Sequence, residues 1–184
     1  TLDVHVKDKV KNELGINSGY FMAYAAMGPR KGTDLSILAY KKYKESGGSN
    51  YLLILGSKTA NAYWQAYAGR ENVKNIVWLS GVSDTQRDAL YGMATALLFP
   101  SRCEGFGYPI VEAMRQGCSV IAWEKSPASE IVGKSIPLLL NLQVDDISAM
   151  MKKYDGNYMT SVEEKKIIIN SSLRFAKSNL GADY

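Results

Sequence analysis

Two glutamates, Glu104 and Glu112, flank the seven residues Gly105-Phe-Gly-Tyr-Pro-Ile-Val111, and the residue types between them suit an anion. Two glycines within three positions let backbone approach a ligand closely, and Pro109 suits the start of a helix, where its missing N–H would be unbonded anyway. A helix is therefore predicted from about Pro109. Tyr108 ahead of it is not a side-chain cap of the Ser, Thr, Asp or Asn kind, so the first-turn amides lack an obvious internal acceptor. Such a helix end, with its dipole and exposed N–H groups, holds a phosphate. Glu112 is predicted in the first turn and Glu104 in the loop before it. A carboxylate beside a phosphate is unfavourable unless it serves neutral hydroxyls, and a nucleotide sugar carries hydroxyls at both ends of its diphosphate. The plainer alternative is that Glu112 is a favourable first-turn charge and that Gly105 and Gly107 merely make a tight turn.

Other chemistry-bearing residues also follow apolar runs. Lys31 closes Met27-Gly-Pro-Arg-Lys31 with Arg30 beside it. An ammonium there can stabilise charge developing on a leaving phosphate; the alternative is a solvated loop lysine. Gly81-Val-Ser-Asp84 follows Ile76-Val-Trp-Leu79, with Arg87 three positions on. Asp84 reads as a helix N-cap, and Arg87 either reaches phosphates or base or lies on the helix surface. Gly56 and Ser57, after Tyr51 to Leu55, line the same edge or make a tight turn. His5 is the only histidine and receives no catalytic role. Cys103 and Cys118 have no Cys-x-x-Cys spacing and no neighbouring histidine, which excludes the usual metal-ligand pattern. They are read as small buried apolar residues in a reducing compartment. No Asp-x-Asp cluster follows a strand, so no metal is expected.

These residues need a scaffold, and hydrophobic periodicity supplies one. Strands are predicted near Tyr20 to Ala26, Tyr51 to Leu55, Ile76 to Leu79, Ala96 to Phe99, Ser119 to Ala122 and Ile136 to Leu140. Helices are predicted near Asp34 to Lys44, Ala60 to Ala68, Asp84 to Met93, Pro109 to Gln116, Val144 to Tyr154 and Val162 to Ser178. Alternation of this kind implies an α/β fold with a doubly wound parallel sheet in three layers. Ligands in such sheets sit beyond the carboxyl ends of the strands, which is where the residues above collect.

At 184 residues with 46% hydrophobic content, the chain fits one domain over 1–184. Residues 1–18 are expected as a lead-in or linker and 160–184 as a C-terminal helix. The net charge of +4 is too small for a nucleic-acid footprint, so no nucleic-acid partner is expected. No apolar run is long enough to cross a bilayer.

The stretch from Glu104 to Glu112 resembles the E-x7-E motif of the group 1 glycosyltransferases, family GT4. The similarity runs from about Tyr20 onward and includes Lys31-Gly32, Gly81-Val-Ser-Asp84, Pro100-Ser101 and Glu112-Ala-Met114. The resemblance implies the Rossmann-like C-terminal domain of a GT-B enzyme, the half that binds the nucleotide sugar. It implies Lys31 on the diphosphate, backbone at Val82 on the base, Glu112 on the ribose hydroxyls and Glu104 beside the reacting sugar. The amides of Phe106, Gly107 and Tyr108 are expected to face the sugar and distal phosphate. One departure stands out: where the family usually has Gly-Arg, this chain has Ala25-Ala26, and Arg30 is the nearest replacement cation. The implied activity is retaining hexosyl transfer, without a cofactor or metal, from GDP-mannose or a UDP-hexose to a glycan or lipid-linked acceptor. The implied setting is cytoplasmic assembly of bacterial envelope polysaccharide or lipopolysaccharide, with peripheral contact at the inner face of the membrane. Because a GT-B site closes between two domains, the acceptor side is expected on an N-terminal partner domain, and this chain alone is expected to be inactive. The alternatives are a nucleotide-sugar epimerase or synthase of the same fold, or a non-catalytic nucleotide-binding module.

Overall fold

Each of five short apolar runs has side chains that alternate between two buried environments, and that alternation explains why they form a sheet covered on both faces. The computed structural model describes residues 3–133, 138–139, 141–155 and 162–179. Strands β1 (Tyr20–Ala25), β2 (Tyr51–Gly56), β3 (Ile76–Leu79), β4 (Ala96–Phe99) and β5 (Val120–Ala122) pair in parallel in the order β3-β2-β1-β4-β5. Eight α-helices are described, α1 (Val4–Leu14), α2 (Thr33–Glu45), α3 (Lys58–Arg70), α4 (Asp84–Met93), α5 (Tyr108–Arg115), α6 (Ala128–Val132), α7 (Val144–Asp155) and α8 (Val162–Asn179), together with one 3-10 turn at Pro29–Lys31.

Tyr20 and Met22 of β1, Leu53 of β2, Leu97 and Phe99 of β4 and Val120 of β5 face one core, which α4, α5, α6 and α8 cover. Phe21, Ala23, Leu52, Ile54, Leu98 and Ile121 face the other, which α2, α3 and α7 cover. Burying each large apolar side chain contributes about 1.5–3 kcal/mol, so the two cores define the three layers. The strand order reverses at β1. The chain builds outward through β2 to β3, then returns to place β4 on the other flank of β1. The loops after β1 and β4 therefore leave the sheet side by side at its switch point, where open parallel sheets bind ligands.

The structure corrects several expectations. The lead-in contains α1, capped by Asp3, which accepts from the His5 amide at 2.8 Å. Gly15 ends it in the left-handed region at φ 66°. Its apolar content is thin, but Val10 and the following Ile16 are buried. Helix α6 was not anticipated, because five residues are too few to display a period. Ser83, not Asp84, caps α4: the Ser83 hydroxyl accepts from the Gln86 amide at 3.2 Å, and Gln86 Oε1 accepts from the Ser83 amide at 2.9 Å. That reciprocal pair is a capping box. Helix α5 starts at Tyr108, which puts Glu112 in its second turn rather than its first. Cys118 is buried but Cys103 is exposed. Of the sixth strand, Ile136, Pro137 and Leu140 lie outside the described residues, and Leu139 makes a single parallel bridge to Trp123.

Candidate functional site

The loops after β1 and β4 are stapled together, and the sequence makes this possible at one glycine. Gly32 sits at φ 67° and a Cβ there would overlap the carbonyl oxygen of Pro100, so only glycine permits the approach. The Arg102 amide donates to the Arg30 carbonyl at 2.9 Å. The Arg102 guanidinium forks onto Asp34 at 2.8 and 2.7 Å, a bidentate geometry that resists rotation. The staple brings Lys31 and Glu104 together. Lys31 Nζ lies 2.6 Å from Glu104 Oε1, with their side chains 17% and 8% exposed. Arg30, half exposed, reaches the same oxygen at 3.4 Å, and the buried Ser101 hydroxyl donates to it at 2.7 Å. Glu104 is thus a largely buried carboxylate whose charge is met by one close ammonium, one longer guanidinium contact and a hydroxyl.

A second group forms on the far side of the turn that starts at Glu104. Gly107, at φ 92°, begins α5 with no side-chain cap. Ile110, Val111, Ala113 and Met114 anchor the helix on the core. Glu112 borders an open depression of about 390 Å³ formed by the ends of β1 and β2, the Gly81-Val82 loop, Arg87 of α4 and the start of α5. Glu112 Oε2 accepts from the Tyr91 hydroxyl at 3.2 Å and lies 3.5 Å from Arg87 Nε. Arg87 also holds Asp84 at 2.9 Å. The hydroxyls of Tyr91 and Tyr24 are 2.6 Å apart. Burial works to lower the Arg87 pKa, but the charge of Glu112 and further groups outweighs it and the net shift is upward. Burial pushes Tyr24 up to about 12, partly offset by its bond to Tyr91. Tyr91 is pushed further, first by burial and then by the charges of Tyr24 and Glu112. Both phenols are neutral donors at any physiological pH.

Of the residues singled out from the sequence, Val82, Arg87, Tyr108 and Glu112 meet at this depression. Arg30, Lys31 and Glu104 meet at the adjoining loops. Phe106 and Gly107 lie in the turn between the groups. The Phe106 ring packs on Tyr108 at 4.6 Å and on Phe175 at 5.6 Å between centroids. Gly56 lines the depression, whereas Ser57 caps α3 by accepting from the Ala60 amide. Ala26 uses its carbonyl to accept from Trp64 Nε1 at 2.7 Å. A larger hollow of about 560 Å³ between α6 and α8 contains none of the residues singled out.

Two contributors escaped the sequence reading, Tyr24 and Tyr91, and a third, Ser101, was named there without a role. Tyr91 follows Arg87 by four positions, so both lie on one face of α4, and that spacing was a legible signal. Tyr24 stands at the carboxyl end of β1, where a ligand edge is expected. Ser101 had as signals its place after β4 and its part in the Pro100-Ser101 resemblance. Among the described residues no three His, Cys, Asp or Glu side chains converge to hold a metal ion, and no helix is long and apolar enough to cross a membrane.

Comparison with known proteins shows what the chain resembles. Residues 6–153 match the family model described as glycosyl transferases group 1. The chain is 32% identical over 153 residues to the serotype-specific mannosyltransferase WbdA of Escherichia coli, covering 82% of this chain and 19% of that protein. It is 31% identical over 134 residues to O-antigen chain mannosyltransferase B of Escherichia coli, covering 71% of this chain and 35% of that one. The chain thus spans only about a fifth to a third of these relatives' lengths. Its fold superposes on WaaG, a glycosyltransferase involved in lipopolysaccharide biosynthesis, with a TM-score of 0.69 at 17% identity over 97% of this chain and 48% of that one.

Proposed function

The chain belongs to the group 1 glycosyl transferases, and from that premise we propose that it is the donor-binding C-terminal domain of a GT-B mannosyltransferase that uses GDP-mannose. The observation that carries this reading is the pairing of two carboxylate centres through one turn at the sheet's switch point. Glu112 borders a nucleoside-sized depression, and Glu104 meets Lys31 beside it. The ribose hydroxyls bind Glu112, the base packs against Val82 and the Gly81 backbone, and Lys31 with the uncapped start of α5 takes the diphosphate. The sugar then lies near Glu104. In the reaction the bond from the anomeric carbon to the phosphate oxygen breaks and its electron pair leaves with the diphosphate. The acceptor hydroxyl forms the new bond on the same face and gives its proton to the departing phosphate oxygen. Lys31 stabilises the departing charge without a metal.

Mannose is favoured because the two relatives described above, both from Escherichia coli, are mannosyltransferases. The O-antigen chain named for the second of them supports a glycan acceptor in lipopolysaccharide assembly at the cytoplasmic face of the membrane. The acceptor side belongs to further chain of the kind those longer relatives possess. Transfer by this chain alone is therefore not expected, and detecting it would overturn that part of the reading.

Calorimetry with GDP, UDP and ADP tests the proposal. GDP is expected to bind most tightly, and Glu112→Ala is expected to weaken it at least about tenfold, as loss of a charged hydrogen-bond acceptor does. Ala26, in place of the family arginine, favours the second reading, a nucleotide-binding module without catalysis. If no nucleotide binds at millimolar concentration, the donor reading fails.

A further inference from the structure

Glu112 is not held by its own helix. Both of its contacts, to Tyr91 and to Arg87, fall on Oε2 and come from α4. Oε1 is therefore the oxygen that can accept from a ligand hydroxyl. The direction of the hydrogen bonds follows from proton count. Tyr91 has one hydroxyl proton and the carboxylate has none, so Tyr91 spends its proton on Glu112 and must accept at its own oxygen. Tyr24, 2.6 Å away, is the donor. The result is a directed relay from Tyr24 to Tyr91 to Glu112, with Tyr24 at the wall of the depression and the Tyr91 ring fully buried in the core.

We propose that Tyr91, backed by Tyr24, is the positioning residue that orients Glu112 toward the ribose hydroxyls of the donor, so that the relay sets discrimination between ribose and deoxyribose. The proposal rests on the donor-site reading above. A carboxylate on a helix side chain has free rotation about its last bond, and a ligand that uses it must first fix that rotation. Arg87 does not fix it, because its Nε lies at 3.5 Å and its NH1 is engaged by Asp84. Tyr91 can, because its ring is fully buried in the core formed by α4, α5 and the sheet, which fixes where its oxygen sits.

The test measures affinity for GDP and for 2′,3′-dideoxy-GDP by calorimetry on the 184-residue chain and its variants. Wild type is expected to prefer GDP. Tyr91→Phe is expected to weaken GDP about threefold to tenfold, the loss typical of one hydrogen bond, while leaving the dideoxy nucleotide within about twofold. Tyr24→Phe, at a position open to the depression, is expected to move the same ratio in the same direction by a smaller factor, and it serves if the buried substitution impairs folding. Glu112→Gln reports on the underlying reading, because it must also reduce the preference for GDP. Equal weakening of both nucleotides by Tyr91→Phe overturns the positioning role while leaving Glu112 on the ribose. No preference in wild type, or no effect of Glu112→Gln on that preference, overturns the site reading and the relay with it.

Discussion

At the scale of single residues, Lys31 and Arg30 are neighbours in sequence with unequal consequences. Both reach Glu104 Oε1, Lys31 at 2.6 Å from a mostly buried position and Arg30 at 3.4 Å with its side chain 52% exposed. Exposed pairs at long range contribute about 0–1 kcal/mol, whereas stripping a partner from a buried carboxylate costs about 1–3 kcal/mol. Lys31→Met is therefore expected to lower the urea midpoint clearly and Arg30→Ala to leave it nearly unchanged. The loss in Lys31→Met should shrink when Glu104→Gln is added, since the uncompensated charge is then gone. The same Lys31→Met variant should weaken GDP about tenfold or more. A Lys31→Met variant as stable as wild type would show that Arg30 and Ser101 alone satisfy Glu104.

At the scale of elements, the site depends on how closely the loop after β1 approaches the loop after β4. Gly32 is the point of contact, and two independent constraints fall on it: a left-handed backbone and a carbonyl where a side chain would stand. Gly32→Ala is expected to destabilise by about 2 kcal/mol or more, because strain at such a backbone and overlap with a main-chain atom have no flexible neighbour to absorb them. Separating the loops also separates Lys31 from Glu104, so nucleotide affinity should fall with stability. Gly105, where a Cβ would meet nothing within 4 Å, is the control: Gly105→Ala should preserve the fold. Equal effects at the two glycines would show that the close approach is not what holds the site together.

At the scale of the whole molecule, the cores are unusually rich in buried phenols, and this sets the alkaline limit of stability. Burial raises Tyr24 and Tyr40 to about 12. Burial also raises Tyr20, Tyr43 and Tyr91 beyond that range. Unfolded tyrosines release protons near 10.0, so above that pH the unfolded state binds fewer protons than the folded one. Stability must then fall as pH rises. With respect to these groups it should be flat below about pH 9 and decline steadily from about pH 10 toward about pH 12. Urea denaturation across that range measures the slope, and Tyr91→Phe should make it shallower. An unchanged slope in that variant would mean that Tyr91 ionises in the folded chain as readily as in the unfolded one.

The alternation of Tyr20, Met22 against Phe21, Ala23 was enough to define a strand with two buried faces, because side-chain direction in a strand is a property of local geometry. The uncapped helix start at Gly107 and Tyr108 was legible for the same reason: capping is a matter of adjacent residue types. Short-range competition was harder to read. Ser83 and Asp84 are both good caps, and only the reciprocal bond with Gln86 decided between them. Which side chains meet the two glutamates was not legible, although the spacing of Arg87 and Tyr91 put both on one face of α4. Tyr24 and Tyr91 are 67 residues apart, and Arg30 and Glu104 are 74 apart. They meet because β4 lies beside β1 rather than beside β3, a strand order set by packing helices on both faces of the sheet. Adjacent residue types were enough to place two carboxylates on either side of a glycine-bearing turn and an uncapped helix start. That Lys31 and Ser101 hold one of them, and that Tyr91 holds the other with Arg87 nearby, follows from the fold alone, because those contacts depend on which strands are neighbours.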